Sequence, residues 1–303
     1  MRGTGFAAFG DETMPVGRTC TLELAKSMES STYNPVNRPA DAASGHRRPR
    51  LPAMVIAGLI AMMLADPAAA QGSGNGFLFS QPAGSFSLRG GYAFASASSD
   101  VFNDAMSQLT LDKSDFGAFA WGGDISYAAK PRLDLVFDVG VSSSKEESEV
   151  RDFVEDLPNG GSAPITQVTR YKRVPLTFAL KYYFVDRGRA VSQLAYIPSK
   201  YAPYMAIGAG AMYYEFKQSG DFVDFESDPE FPEIFTAELE SNGWTAMAHG
   251  AAGIDYSLGP WLALTGEARY QWAKARLDPE VFEGYDKIDL SGVTGTVGFK
   301  VRF

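Results

Sequence analysis

Ser291-Gly292-Val293-Thr294-Gly295-Thr296-Val297-Gly298-Phe299-Lys300-Val301-Arg302-Phe303 closes the sequence, and its alternation decides how the rest is read. In an extended chain, successive side chains point to opposite faces. Ser291, Val293, Gly295, Val297, Phe299, Val301 and Phe303 therefore share one face, and Gly292, Thr294, Thr296, Gly298, Lys300 and Arg302 share the other. One face is apolar and the other is polar or very small, as a strand between two unlike media requires.

The same split recurs upstream. Leu133, Leu135, Phe137, Val139 and Val141 oppose Asp134, Val136, Asp138, Gly140 and Ser142. Phe119, Trp121, Gly123, Ile125 and Tyr127 oppose Ala118, Ala120, Gly122, Asp124 and Ser126. Further strands of this kind lie at 85–94, 173–184 and 262–272. Two more, at 204–216 and 244–256, have alternation blurred by alanine and glycine. For 204–216, the pattern leaves open whether Tyr204, Tyr214 and Phe216 or Met205, Ile207 and Tyr213 face outward.

This makes eight strands of about nine to fourteen residues, and nine to eleven tilted residues cross a bilayer. The connections alternate in length. Ala128 to Pro131 and Ser257 to Pro260 are tight turns, whereas 95–115, 143–168, 217–243 and 273–289 read as long polar loops. The middle turn, 185–201, is the exception in length. The expected fold is all-β: an eight-stranded antiparallel transmembrane β-barrel with short periplasmic turns and long extracellular loops.

The N-terminal part has a different logic. His46-Arg47-Arg48-Pro49-Arg50 precedes the apolar run from Leu51 to Ala65, and Ala68-Ala69-Ala70 forms a small-residue site, in the order of a secretory signal. The expected domains are an unstructured extension over 1–45 from a start assigned too far upstream, a signal peptide at 46–70, a periplasmic lead-in at 71–84, and the barrel at 85–303. Sec export would then place the mature chain in the outer membrane of a Gram-negative bacterium. The lone cysteine, Cys20, falls in the removed part. Net charge is −9 for the whole sequence, and the acidic excess lies in the mature part. That argues against a duplex nucleic-acid partner, since phosphate contacts need clustered Lys and Arg.

Gly250-Ala251-Ala252-Gly253-Ile254-Asp255-Tyr256, the turn after it, and Leu262 to Tyr270 resemble the penultimate hairpin of the small outer-membrane β-barrel domains of OmpA/OmpX type, the porin-family proteins. Val297 to Phe303 resembles their closing strand. The resemblance implies that Phe299, Val301 and Phe303 are read by the barrel-assembly machinery. It departs from the peptidoglycan-anchored members in having no periplasmic domain after the barrel, so wall tethering is not implied.

Arg89, Asp124, Asp134, Asp138, Arg173, Lys181, Glu267, Arg269, Lys300 and Arg302 all fall opposite the apolar faces. A charge facing lipid near the bilayer midplane costs about 2–4 kcal/mol, so these must point inward. Eight strands enclose only enough room for side chains, and the set reads as a paired lumen network rather than a conducting path. Phe86, Tyr92, Phe94, Trp121, Tyr127, Tyr182, Phe184, Tyr270, Trp272 and Phe303 fall on the outer face, where rings favour the headgroup level.

For catalysis, the mature part offers a single histidine, His249, with alanine and glycine around it and Ser241 and Ser257 at opposite ends of its strand. No catalytic residue and no cofactor is expected, although a lipid A deacylase-like hydrolase is an alternative reading. The acidic residues concentrate in the loops. Loop 217–243 offers Asp221, Asp224, Glu226 and Asp228 as candidate ligands for a divalent cation, alongside Phe222, Phe225, Phe231 and Phe235. The functional expectation is a monomer with a structural or surface-interaction role: membrane integrity, adhesion or partner contact, touching lipid and lipopolysaccharide. The alternative is passage of small hydrophobic molecules, resembling the OmpW group, which an apolar upper lumen would favour.

Overall fold

In the computed structural model, the described residues are 77–303 except 157–160, 193–194, 225–232 and 286. The expected extension and signal lie outside them. Eight strands form a closed ring: β1 (Gly84–Ala95), β2 (Ala118–Lys130), β3 (Leu133–Asp156), β4 (Ser162–Tyr183), β7 (Tyr201–Asp224), β8 (Glu233–Ser257), β9 (Leu262–Ala275) and β11 (Gly292–Arg302). Every neighbouring pair is antiparallel, and β11 returns to β1 with Phe299 opposite Leu88 and Arg302 opposite Ser85. Within the apolar band closure leaves no strand edge unpaired, which is the condition for a sheet in lipid.

The pleat places side chains as alternation dictates. Leu88, Phe94, Phe119, Trp121, Leu135, Phe178, Trp272, Val297, Phe299 and Phe303 are exposed around the outside. On β3 the outward apolar set runs from Leu133 to Val141, and Lys145 and Glu147 follow on the same face. That nine-residue band matches a tilted crossing. On β7, Met205 and Ile207 are exposed while Tyr204, Tyr214 and Phe216 are buried, which resolves the facing left open by the sequence.

Two expectations need correction. The segments 143–168 and 217–243 are mostly not loops: β3 and β4 have 24 and 22 residues, and β7 and β8 have 24 and 25. Above the apolar band the outer face meets water while the inner face packs in part against the apolar plug, so backbone pairing continues after the outward hydropathy signal has ended. Cross-strand ion pairs hold this extension, with Arg170 and Lys172 at 3.8 and 3.7 Å from Glu215 and Lys217 at 2.6 Å from Glu238.

The remaining long connections fold inward. The first carries α1 (Asp100–Gln108) and a 3-10 turn (Lys113–Phe116), and the last carries the short β10 (Ile288–Asp289) paired with β9. Both enter the long-loop mouth. At the opposite end, β5 (Gly188–Ser192) and β6 (Ala195–Pro198) make a hairpin, and Leu78 forms a two-bond bridge to Tyr196. The 185–201 turn is therefore a cap built from its own small sheet.

Candidate functional site

The lumen is the candidate site, and it is filled in three tiers. At the short-turn end, Lys300 pairs with Asp255, whose carboxylate also accepts from Tyr183 Oη at 3.1 Å. Arg187, supplied by the turn after β4, reaches up to Asp134 at 2.6 Å and donates to the carbonyls of Lys130 and Pro131. Arg302 is held at the rim by Ser257 Oγ at 2.9 Å.

The middle tier links opposite walls. Arg89 on β1 pairs with Asp138 on β3 and donates to Glu267 on β9 at 3.0 Å. Arg269 donates to Asp138 at 2.6 Å and to Glu267 at 2.9 Å. Glu267 also accepts from Tyr204 Oη at 3.0 Å and lies 4.0 Å from Lys181, which itself sits 4.1 Å over the Tyr204 ring. Asp124 receives Ser87 Oγ at 3.1 Å. Buried charges persist when each has such partners.

Two glycines make this tier possible. A Cβ at Gly253 would stand 2.5 Å from Tyr204 Oη, and one at Gly208 would stand 2.5 Å from His249 Cε1. The tyrosine and the imidazole occupy the room those glycines leave.

The upper tier is apolar and comes from loops folded into the mouth. Phe102 of α1 lies at its centre, its ring 4.7 Å from Phe116, 5.3 Å from Tyr171 and 5.6 Å from Phe216, and Phe282 packs at a tilt 5.7 Å from Phe216. Met212, Met247, Leu277, Ile288 and Leu290 complete the cluster. Polar ties lock the two loops together: Asp289 N donates to Ser99 Oγ at 3.1 Å, Ser98 Oγ to Asp289 at 2.6 Å, and Tyr285 Oη to Asp104 at 2.8 Å.

All ten charged residues singled out from the sequence point into the lumen, Arg269 and Arg302 being half-buried and the others buried. Asp255 and Arg187 belong to the same network and were missed. Asp255 sits in the strand whose alternation alanine and glycine blur, and Arg187 belongs to a turn. The aromatic plug was also missed, because 95–115 and 273–289 are polar on average and conceal isolated Phe and Leu anchors.

His249 is buried on the inward face, opposite Gly208 on β7 and Gln271 on β9. Ser241 Oγ is engaged by Tyr214 Oη and by Asp278 N, and Ser257 Oγ donates to the Ser199 carbonyl. Neither serine is paired with His249. Among the described residues no three potential ligands cluster as a metal site. Asp221 accepts from Thr236 Oγ1 at 2.6 Å, Asp224 ends β7, and Glu226 and Asp228 lie outside the described residues. Phe299 and Val301 face outward, and Phe303 exchanges backbone hydrogen bonds with Gly84.

No protein-family model matches the sequence, and no curated protein matches it. Solved structures do. The outer membrane protein OprG from Pseudomonas aeruginosa is similar at 17% identity and a TM-score of 0.40, over 74% of this chain and 98% of that one. The N-terminal β-barrel domain of Pseudomonas aeruginosa OprF is similar at 12% and 0.31, over 73% and 98%. Escherichia coli outer membrane protein W is similar at 15% and 0.32, over 74% and 100%. At TM-scores of this size, the fold rests on the strand pairings above.

Proposed function

We propose that this protein is a monomeric outer-membrane barrel whose role is structural and interactive, stiffening the membrane and raising an acidic wall above it for outside contact. The observation that supports this is the lumen, closed by ion pairs through its lower and middle tiers and by an aromatic plug at the mouth. Four strands running on beyond the apolar band supply the wall. The short-turn end with both barrel termini faces the periplasm, and the long strands face outward. In that placement the apolar band meets lipid and lipopolysaccharide, and Phe299, Val301 and Phe303 serve the assembly machinery. The candidate carboxylates of 217–243, Asp221, Asp224, Glu226 and Asp228, bridge divalent cations to anionic sugar phosphates. Secretion by Sec, with cleavage after Ala70, is the route.

The test is threefold. The outer-membrane fraction shows a gel-mobility shift on boiling, the purified barrel shows no steady conductance in planar bilayers, and shortening 217–243 weakens envelope integrity or adhesion while the shift remains. Steady conductance or dye uptake that vanishes on shortening 217–243 overturns the reading.

A second reading, OmpW-like passage of small hydrophobic molecules, is favoured by the apolar character of the mouth. It requires α1 to leave and a ligand to take the place of Phe102. Faster uptake of a hydrophobic dye in cells carrying the protein distinguishes it. A lipid A hydrolase would require altered lipid A mass spectra on deleting the gene; unchanged spectra sink it.

A further inference from the structure

In the two lower tiers each buried carboxylate has a cation in contact with it, while Arg302 at the rim is held by Ser257 Oγ; higher in the lumen, Arg173 and Asp289 are both buried and form no ion pair with each other. In the short-turn tier, Lys300 and Arg187 face Asp255 and Asp134; in the middle tier, Arg89, Arg269 and Lys181 face Asp124, Asp138 and Glu267. Arg173 takes part in none of these pairs. It is 3% exposed, and among the described residues no carboxylate lies within ion-pair distance of it. Its Nη1 donates to the Leu290 carbonyl at 3.3 Å, and its Nη2 has no hydrogen-bond partner among them. The guanidinium is pinned 5.1 Å over the Tyr171 ring. Asp289, whose backbone carbonyl takes Tyr171 Oη, turns its carboxylate to Ser98 Oγ and Ser291 N.

Arg173 lines a half-open cavity of about 50 Å³ beside the middle tier, together with Ser142, Gln271, Thr294 and Thr296, and the cavity extends to the outward-facing Trp121, Val139 and Val141. Arg89, Arg269, Asp138 and Glu267 form the floor. Three cations and two anions leave this lining at +1. Gln271 Nε2 donates to Thr294 Oγ1 at 3.0 Å, which leaves the threonine proton free to donate into the space. Burying a cation without a counter-charge costs several kcal/mol, and a space above about 10–15 Å³ holds a water-sized guest. A guanidinium with unused donors, hydroxyl donors and one surplus positive charge is a set for an anion, not a cation. The volume restricts the guest to a monatomic or similarly small species.

We infer that Arg173 and the hydroxyls around it bind one small monovalent anion of the halide class, which gives the buried guanidinium a counter-charge in contact with it. The test uses the full mature chain folded in detergent micelles. Its unfolding midpoint is measured in sodium bromide, sodium chloride and sodium gluconate at equal ionic strength, and crystals grown in bromide are examined for anomalous scattering. The expected result is a saturable upward shift of the midpoint in either halide over gluconate, with a bromide peak within hydrogen-bond distance of the Arg173 guanidinium. Both are lost in Arg173→Gln. Equal midpoints in all three salts with no bromide peak at Arg173 overturn the inference, because water then fills the space. A halide shift that persists in Arg173→Gln overturns it as well. Should that variant fail to fold, the wild-type salt comparison and the bromide peak still decide.

Discussion

Arg269 on β9 donates to Asp138 on β3 at 2.6 Å, and these two strands stand diametrically opposite in the eight-membered ring. The bond is a strut across the lumen rather than a contact between neighbours. It ties directly two walls that the backbone ladder joins only through three intervening strands on either side.

Arg269→Met is expected to lower the unfolding free energy by about 3–5 kcal/mol, because it strands Asp138 and Glu267 with fewer partners. Denaturant unfolding in micelles measures it. In a cycle with Asp138→Leu, the double variant should lose less than the sum of the singles, since neither charge is then left alone. Strictly additive losses would show that the strut carries no coupling.

The outer face should reject charge by depth. Val297→Arg, on an exposed position within the band, is expected to cost about 2–4 kcal/mol and to reduce the heat-modifiable form. Glu147→Arg, on the exposed strand extension, should leave the gel shift unchanged. Equal tolerance at both positions would place the lipid boundary elsewhere.

Phe102→Ala removes the centre of the aromatic plug and should cost about 3–5 kcal/mol. Even deletion of α1 should not open an ion path, because the Arg89 and Arg269 tier still closes the barrel beneath it. Planar-bilayer recordings of both variants check this.

Asp289, in the loop above the apolar band, supplies a pH dependence. Burial raises its carboxyl pKa, but hydrogen bonds from Ser98 and Ser291 outweigh that and hold it below the ordinary carboxylate value. With the folded value depressed, its contribution is fully present above the unfolded value of about 3.9 and fades as pH falls through the lower folded one. The difference in unfolding midpoint between wild type and Asp289→Asn should therefore be largest near neutral pH and shrink below about pH 4. A difference that is constant with pH would exclude the carboxylate as its source.

The sequence was most informative where alternation met two unlike media. The ten lumen charges were legible because a charge on the face opposite Val293, Val297 and Phe299 has nowhere else to go. Asp255 was not, since Gly250, Ala251 and Ala252 give little contrast between faces. The aromatic plug was illegible for another reason: Phe102 is a helix residue and Phe282 a loop residue, and both are buried against Phe216 on a strand distant in sequence.

By itself, the sequence determined the eight strands, the apolar band and the facing of the strands whose alternation is clear, because each is a period-2 property written within a dozen residues; the facing of 204–216 waited for the closed barrel. Only the tertiary structure decided which charges pair across the lumen, how far β3, β4, β7 and β8 rise above the band, and that two connections fold inward. Pairing of Arg269 with Asp138 requires a register set by closure of the whole ring, and strand extension beyond lipid is held by backbone bonds that leave no hydropathy signal. The solitary position of Arg173 follows from the same fact, since a charge is unpaired only relative to everything the closed barrel brings near it.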